Sequence, residues 1–415
     1  MNPIPYPVSR ILYLESPSMR YQSYLNTAAK IIGSYKGETP LSIFLKNFFA
    51  ADKKYGSRDR KQIAALCYHY YRLGKALTDM PVEERIITAA FLCENSNSDF
   101  IAFHRPEWNE KVHLALAEKI SFLNLKLNPT EIFPWTTALS EGIDTELFSL
   151  SFLNQPDLFI RIRPGKKRSV LEKLTSAGLP FSEIQEDCIT LPNGTAVDRV
   201  LELDKEAVVQ DASSQQVLNC FRDAGCGIRD TGYGIGQVPS AWDCCAASGG
   251  KSILLFDILD GNIDLTVSDI RESIISNLKK RFTIAGINRY KSFISDLSTA
   301  HCLLPTANCQ LLLCDAPCTG SGTWSRTPEQ LYFFKEEQIG EYAARQKQIV
   351  SNAIPALGVD GLFVYITCSV FKQENEEVVE WIRSTYKMEL LQMEVLKGYD
   401  KKADSMFVAL LRRAE

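Results

Sequence analysis

The stretch 310–322, QLLLCDAPCTGSG, restricts the fold of this chain more than any other. Leu311, Leu312 and Leu313 form an aliphatic run of the kind found in strands buried on both faces of a parallel sheet. The run ends at Cys314, and Asp315, Ala316, Pro317, Cys318 and a Gly-rich turn follow at once. Such a strand delivers polar groups to its carboxyl end, the edge at which open α/β sheets bind ligands. Further on, the aliphatic run 362–367 ends in the same manner at Cys368 and Ser369, ahead of a helix-like stretch. Two thiols are therefore expected at one sheet edge.

Length and composition limit the chemistry. A chain of 415 residues exceeds what one hydrophobic core usually supports, so two or three domains are expected. No apolar run is long enough to cross a bilayer, and the amino terminus MNPIPYPVSR lacks a secretory pattern, so no membrane partner is expected. Twelve cysteines without a Cys-x-x-Cys pair suit neither a disulfide framework nor a zinc ribbon, which points to a reducing cytoplasm. His69, His104, His113 and His301 lie far apart in sequence, so no metal is expected. A net charge of −4 excludes a surface coated in basic residues, and any nucleic acid must be held by a local patch.

Residues 1–155 read as a helical domain. Tyr21, Leu25, Ala28, Ala29 and Ile32 recur at helical spacing, 41–51 repeats the pattern, and 59–77 places Ile63, Leu66, Cys67 and Tyr70 on one face with Ser57 as its expected cap. A further helix is expected to begin at Pro81. Lys53, Lys54, Arg58, Arg60 and Lys61 suit RNA phosphates, although a solvated helix start explains them more simply.

The period changes at 156–204. LFIRIRP alternates like a strand, SVLEKLTSAGL suits a short helix ending at Gly178, and CITLP is a second strand, giving a small α+β module. Arg161, Arg163, Lys166, Lys167 and Arg168 make it the densest basic run outside the helical domain. Exposed charge and RNA binding explain that run equally well.

From 205 to 415 the pattern is that of a nucleotide fold. AWDCCAASGGKS, residues 241–252, reads as strand, small-residue loop and helix start, where backbone amides can approach a polar ligand closely. The next strand ends at Asp269, about twenty residues past the loop, a position suited to ribose hydroxyls, and another leads to Asp296. Capping of the following turns accounts for both acids as well.

Asp243-Cys-Cys-Ala-Ala-Ser-Gly-Gly-Lys251, Asp269, Asp296, Asp315-Ala-Pro-Cys318-Thr-Gly-Ser-Gly322 and Thr367-Cys368-Ser369 with Glu374-Asn375-Glu376 closely resemble, in order, the motifs of the Sun-type RNA cytosine-5 methyltransferases, the RsmB-like enzymes. Val209-Gln210-Asp211 and the closing 406–410 also look like family segments. The resemblance implies an α/β fold: a Rossmann-like S-adenosylmethionine-dependent methyltransferase domain at 205–415, preceded by the helical domain, similar to a NusB-like one, and the α+β RNA-binding module. It departs from the family pattern at Ser248, where proline is usual, so the loop is less restricted before Gly249 and Gly250.

What the resemblance implies is methylation of carbon 5 of a cytosine in RNA, ribosomal RNA first and transfer RNA as the nearest alternative, by a monomer. An assembly factor that binds RNA with little turnover is the reading from a different class. Carbon 5 is too weak a nucleophile to accept a methyl group until a thiolate adds to carbon 6. Residue types alone leave either cysteine as the attacker, since Pro317-Cys318 is the dipeptide other cytosine methyltransferases use. By resemblance Cys368 attacks and Cys318 assists breakdown of the adduct. Asp315, counted with the two cysteines as catalytic, would contact the base edge and the cofactor's methionine end, which Cys245, Ala246, Ala247, Ser248, Gly249, Gly250 and Lys251 would line. Asp269 would take the ribose, Asp296 the adenine amino group, and Arg326 the target RNA. Asn375 is expected to cap the helix that follows it, with Glu374 and Glu376 favouring that helix's positive end.

Overall fold

The computed structural model describes residues 17–52, 54–221, 238–300, 302–305 and 308–414; Lys53 and His301 lie outside these. The chain divides into two compact units, Met1–Asn128 and Pro129–Glu415.

The first unit is helical. Its main helices are Pro17–Ser34, Leu41–Ala51, Ser57–Arg72 and Val82–Cys93. Ser57 is already inside its helix, and the end is closed differently from expectation: the Asp59 carboxylate accepts the Gly56 amide at 2.9 Å. Pro81 sits one residue ahead of its helix rather than inside it. Arg85, 1% exposed, donates to the carbonyls of Tyr70, Gly74 and Ala76, so its charge meets the negative end of the helix Ser57–Arg72 and the turn that follows.

The second unit begins with residues 129–155, read from the sequence as the tail of the helical domain. Phe133 and Phe152 stack at 5.9 Å, and Phe133 stacks on Phe371 at 5.7 Å, so aromatic burial holds this segment within the second unit. Next comes a four-stranded sheet of β1 (Leu158–Ile162), β2 (Ser182–Gln185), β3 (Cys188–Leu191) and β4 (Ala207–Val209), ordered β2-β3-β1-β4 with antiparallel neighbours. Sequence periodicity indicates β1, β3 and the helix Lys167–Ser176 between them. It does not indicate β2, whose residues are all exposed, or β4.

Arg161 on β1 and Arg163 just after it have a role that neither of the two expectations gave. Arg161 is 1% exposed; it contacts Asp257 at 2.6 Å and donates to Gln210 at 2.9 Å. Arg163 reaches the same carboxylate at 2.7 Å and donates to the carbonyls of Asp204 and Ala285. Both arginines thus tie the small sheet to the helix that carries Asp257, and neither is presented as a phosphate contact. A strand covered on both faces explains why the alternation misled.

The larger sheet comprises β5 (Ser240–Asp243), β6 (Asp264–Asp269), β7 (Tyr290–Ile294), β8 (Cys309–Asp315), β9 (Leu357–Thr367), β10 (Met388–Leu396) and β11 (Met406–Arg413), ordered β10-β11-β9-β8-β5-β6-β7. Strands β5 to β9 pair in parallel, and β11 runs antiparallel between β9 and β10. Side-chain alternation divides the core. Leu311, Leu313, Val364 and Ile366 face the helices Gly250–Ile258 and Glu272–Ala285, while Leu312, Cys314, Phe363 and Tyr365 face Glu337–Ala353 and Glu376–Tyr386. The third of these helices stops at Ala353 because Pro355 lies in the turn that follows.

Candidate active site

The strand order reverses between β5 and β8, and the carboxyl ends of the strands on either side converge there. A cleft of about 400 Å³ opens at this point, lined by Cys245, Asp269, Asp296, Asp315, Cys318 and Cys368 among others. Residues far apart in the chain are gathered here because each terminates, or directly follows, a strand of one parallel sheet.

The loop after β5 fits a ligand bound through backbone amides. Gly249 has φ +85°, and a Cβ there would stand 2.7 Å from a ring carbon of Phe282, so only glycine lets the helix Gly250–Ile258 pack this closely. A Cβ at Gly250 would meet nothing within 4 Å. In place of the restriction a proline would impose, the Ser248 carbonyl and hydroxyl accept from Arg281 at 2.8 and 3.0 Å, and Arg281 is itself paired with Asp204. Asp269 accepts the Ala247 and Arg271 amides at 3.1 and 3.0 Å. Asp296 accepts the Ser298 amide and hydroxyl, and the hydroxyl contact foremost holds its carboxyl below the usual range. Both acids are therefore turn caps on the cleft wall, and a carboxylate has lone pairs for both uses.

Lys251 contacts Asp315 at 2.6 Å; burial alone would lower its ammonium, but the Asp315 carboxylate more than reverses this. Behind them Asp243 is 1% exposed, accepts the Ser252 hydroxyl at 2.6 Å through one oxygen, and has no partner for the other among the described residues. Burial pushes its carboxyl up to about 7, and the Asp315 charge adds to the effect. A carboxyl raised in the folded state lends stability below its unfolded value of 3.8, and this is lost as pH rises through about 7. Asp243→Asn is expected to remove this slope. Thermal midpoints at pH 5 and 8 should lie closer together in the variant, by the equivalent of roughly 2–3 kcal/mol.

The thiols expected at one edge lie 3.3 Å apart, Cys318 Sγ to Cys368 Sγ. Contact with Cys368, then burial, pushes the Cys318 thiol well above its ordinary value and keeps it protonated. One carboxylate holds both loops. Glu374, fully buried, accepts the Thr319 amide at 2.9 Å, the Thr319 hydroxyl at 2.6 Å, the Ser369 hydroxyl at 2.5 Å and the Gln346 amide at 2.9 Å. Thr319 follows Cys318 and Ser369 follows Cys368, so Glu374 sets the position of each sulfur through the adjoining residue. This corrects its expected place at a helix terminus. Asn375 makes no side-chain cap hydrogen bond either; it donates to the Ser369 carbonyl and accepts from Thr367. Gly322 lets the loops close up, since a Cβ there would stand 2.1 Å from the Ser405 carbonyl oxygen.

Sequence reasoning missed Gln346, although its place on the face of Ala343 and Ile349 marked it as a polar residue turned inward. Arg326 lies off the cleft lining: it binds Asp404 and Asp211, both at 2.8 Å, and the Asp157 carbonyl, so its charge is spent inside the unit rather than offered to RNA. Lys166 and Arg168 are exposed, as is the Lys167 ammonium pairing with Glu183. The sequence also hid a cluster: Cys244, Cys245 and Cys314 place their sulfurs within 4.8 Å of one another.

The fold and the glycine-bearing loop at its switch point define a Rossmann-like, S-adenosylmethionine-dependent methyltransferase domain. Residues 238–412 match the family model described as 16S rRNA methyltransferase RsmB/F. Among curated relatives, the probable ribosomal RNA small subunit methyltransferase B of Bacillus subtilis (strain 168) is 24% identical over 228 residues, 54% of this chain and 48% of that protein. The ribosomal RNA small subunit methyltransferase F of Cronobacter sakazakii (strain ATCC BAA-894) is 27% identical over 216 residues, 51% of this chain and 42% of that protein. The chain thus spans less than half the length of each. Among solved structures, PH0851 superposes with a TM-score of 0.64 at 18% identity, covering 95% of this chain and 98% of that one. NSun6 from Pyrococcus horikoshii with SFG gives 0.54 at 13% identity, covering 68% and 97%. At these identities both bear on fold alone.

Proposed function

We propose that this chain methylates carbon 5 of a cytosine in RNA, ribosomal RNA first, through a covalent adduct at carbon 6. The observation that carries the reading is the pair of thiols 3.3 Å apart beside the cofactor cleft. When bound, S-adenosylmethionine supplies an electrophilic methyl group; the loop 245–251, Asp269, Asp296 and Asp315 would hold it. The resemblance to the Sun-type enzymes gives the attack to Cys368, which adds to carbon 6 and drives electron density to carbon 5, with Cys318 3.3 Å away. After methyl transfer, the carbon 5 proton must leave before the carbon–sulfur bond breaks. Cys318 is placed to assist that release. Glu374 is a poor base for it, being sealed behind four donors. Lys166, Lys167 and Arg168 remain the exposed basic group suited to RNA phosphates. A paired base would first have to be unstacked, so a loop cytosine or an incompletely assembled particle is the expected acceptor.

The test is transfer of labelled methyl from S-adenosylmethionine to ribosomal RNA, transfer RNA, immature ribosomal particles and DNA. Label recovered as 5-methylcytosine in ribosomal RNA or particles supports the reading, whereas label confined to transfer RNA replaces the substrate. Stoichiometric RNA binding without label in any fraction would favour an assembly factor.

A further inference from the structure

Cys244 and Cys245 follow β5, and Cys314 is the penultimate residue of the neighbouring β8. A cross-strand hydrogen bond from the Cys244 amide to the Leu313 carbonyl, 2.9 Å, fixes the two strand ends side by side. The three sulfurs lie within 4.8 Å of one another, so modest side-chain rotation closes them on a central atom at the ~2.3 Å usual for metal–thiolate bonds. Cys314 and Cys244 are buried, at 0% and 1% exposure, while Cys245 is half-buried; Cys244 and Cys245 also line the cleft, which gives a route in from solvent. None of the three is needed for the covalent chemistry assigned to Cys318 and Cys368.

We infer that Cys244, Cys245 and Cys314 form a three-sulfur site for a trivalent, thiophilic metalloid. Soft sulfur donors exclude calcium and magnesium, which take oxygen ligands. A structural zinc requires four ligands, and no fourth His, Cys, Asp or Glu joins the cluster among the described residues. Charge then decides among three-coordinate ions. Three thiolates around a monovalent cation leave a doubly negative complex in a buried site, which is costly, whereas three thiolates on a trivalent centre are neutral. With arsenite, three S–H bonds and three As–OH bonds break, three As–S bonds form and three waters leave. No electron is transferred. Capture also alters the floor of the cleft next to the loop 245–251. It is therefore expected to weaken S-adenosylmethionine binding, a consequence that rests on the cofactor site described under Proposed function.

The experiment uses the full-length reduced protein and arsenite. Native mass spectrometry counts bound arsenic, arsenic X-ray absorption counts its sulfur neighbours, and equilibrium dialysis follows labelled S-adenosylmethionine. One arsenic with three sulfurs is expected in wild type and in a Cys318→Ser/Cys368→Ser variant. The three-sulfur signature should vanish in Cys244→Ala and in Cys314→Val, both checked for native circular dichroism. A signature that survives in Cys244→Ala and Cys314→Val, or disappears with the catalytic pair, would overturn the assignment. If wild type captures arsenic through three sulfurs yet binds no S-adenosylmethionine beforehand, the three-thiol site stands and the cofactor reading fails.

Discussion

Cys368→Ala is expected to abolish methyl transfer to RNA, a loss of roughly 10⁴-fold or more, the scale on which an enzyme loses rate without its nucleophile. Cys318→Ala is expected to behave differently and to accumulate a protein–RNA adduct that survives denaturing electrophoresis. The reason lies in the placing of the two sulfurs. They lie 3.3 Å apart, so both reach the same ring, and the family resemblance gives the attack to Cys368 and the release to Cys318. An attacking group must give up its proton, while a group that assists release must be able to exchange one. Removing Cys368 therefore stops the reaction before any bond to RNA forms, and removing Cys318 stops it afterwards. Gel-shifted label in Cys318→Ala with none in Cys368→Ala is the expected pattern; the reverse pattern would exchange the two roles.

Glu374→Ala is expected to lower the thermal midpoint by roughly 10 °C and to cut kcat/KM by about 10²-fold without removing any group that touches substrate. The carboxylate gathers two backbone-anchored loops and the Gln346 side chain around one buried point. Without it the Thr319 amide loses its acceptor in a buried site, at about 1–3 kcal/mol, and the Gln346 amide keeps only the Pro317 carbonyl, while the hydroxyls of Thr319, Ser321 and Ser369 can turn to one another. Glu374→Gln keeps one acceptor but sets an N–H against a donor, and should fall between wild type and alanine in both measurements. If Glu374→Ala loses stability while the activity per folded molecule stays at the wild-type level, the carboxylate holds the fold and does not position the thiols. Because it acts through Thr319 and Ser369, its loss should move kcat more than KM.

The sequence by itself determined the elements whose side chains follow a simple period. The aliphatic run before Asp315, the glycine loop after β5 and the acids at strand ends stand out because a parallel strand is buried on both faces and must discharge its polar residues at one edge. The meeting of Cys318 and Cys368 followed from this. The fates of single charged and polar side chains did not, since a basic residue reads the same in a string of letters whether solvent, RNA or a buried carboxylate awaits it. Arg161 and Arg163 suited solvent and RNA equally and Arg326 suited the target RNA, and only the packing of the small sheet and of Asp404 and Asp211 against them showed their charges met within the chain. Glu374 and Asn375 looked like helix-end residues for the same reason. The three-thiol cluster lay beyond sequence spacing altogether, because Cys244 and Cys314 become neighbours only through the pairing of β5 with β8. Periodicity reports which face of an element is buried; what a buried polar group finds there is decided by residues remote in the chain, and that pairing exists only in the folded molecule.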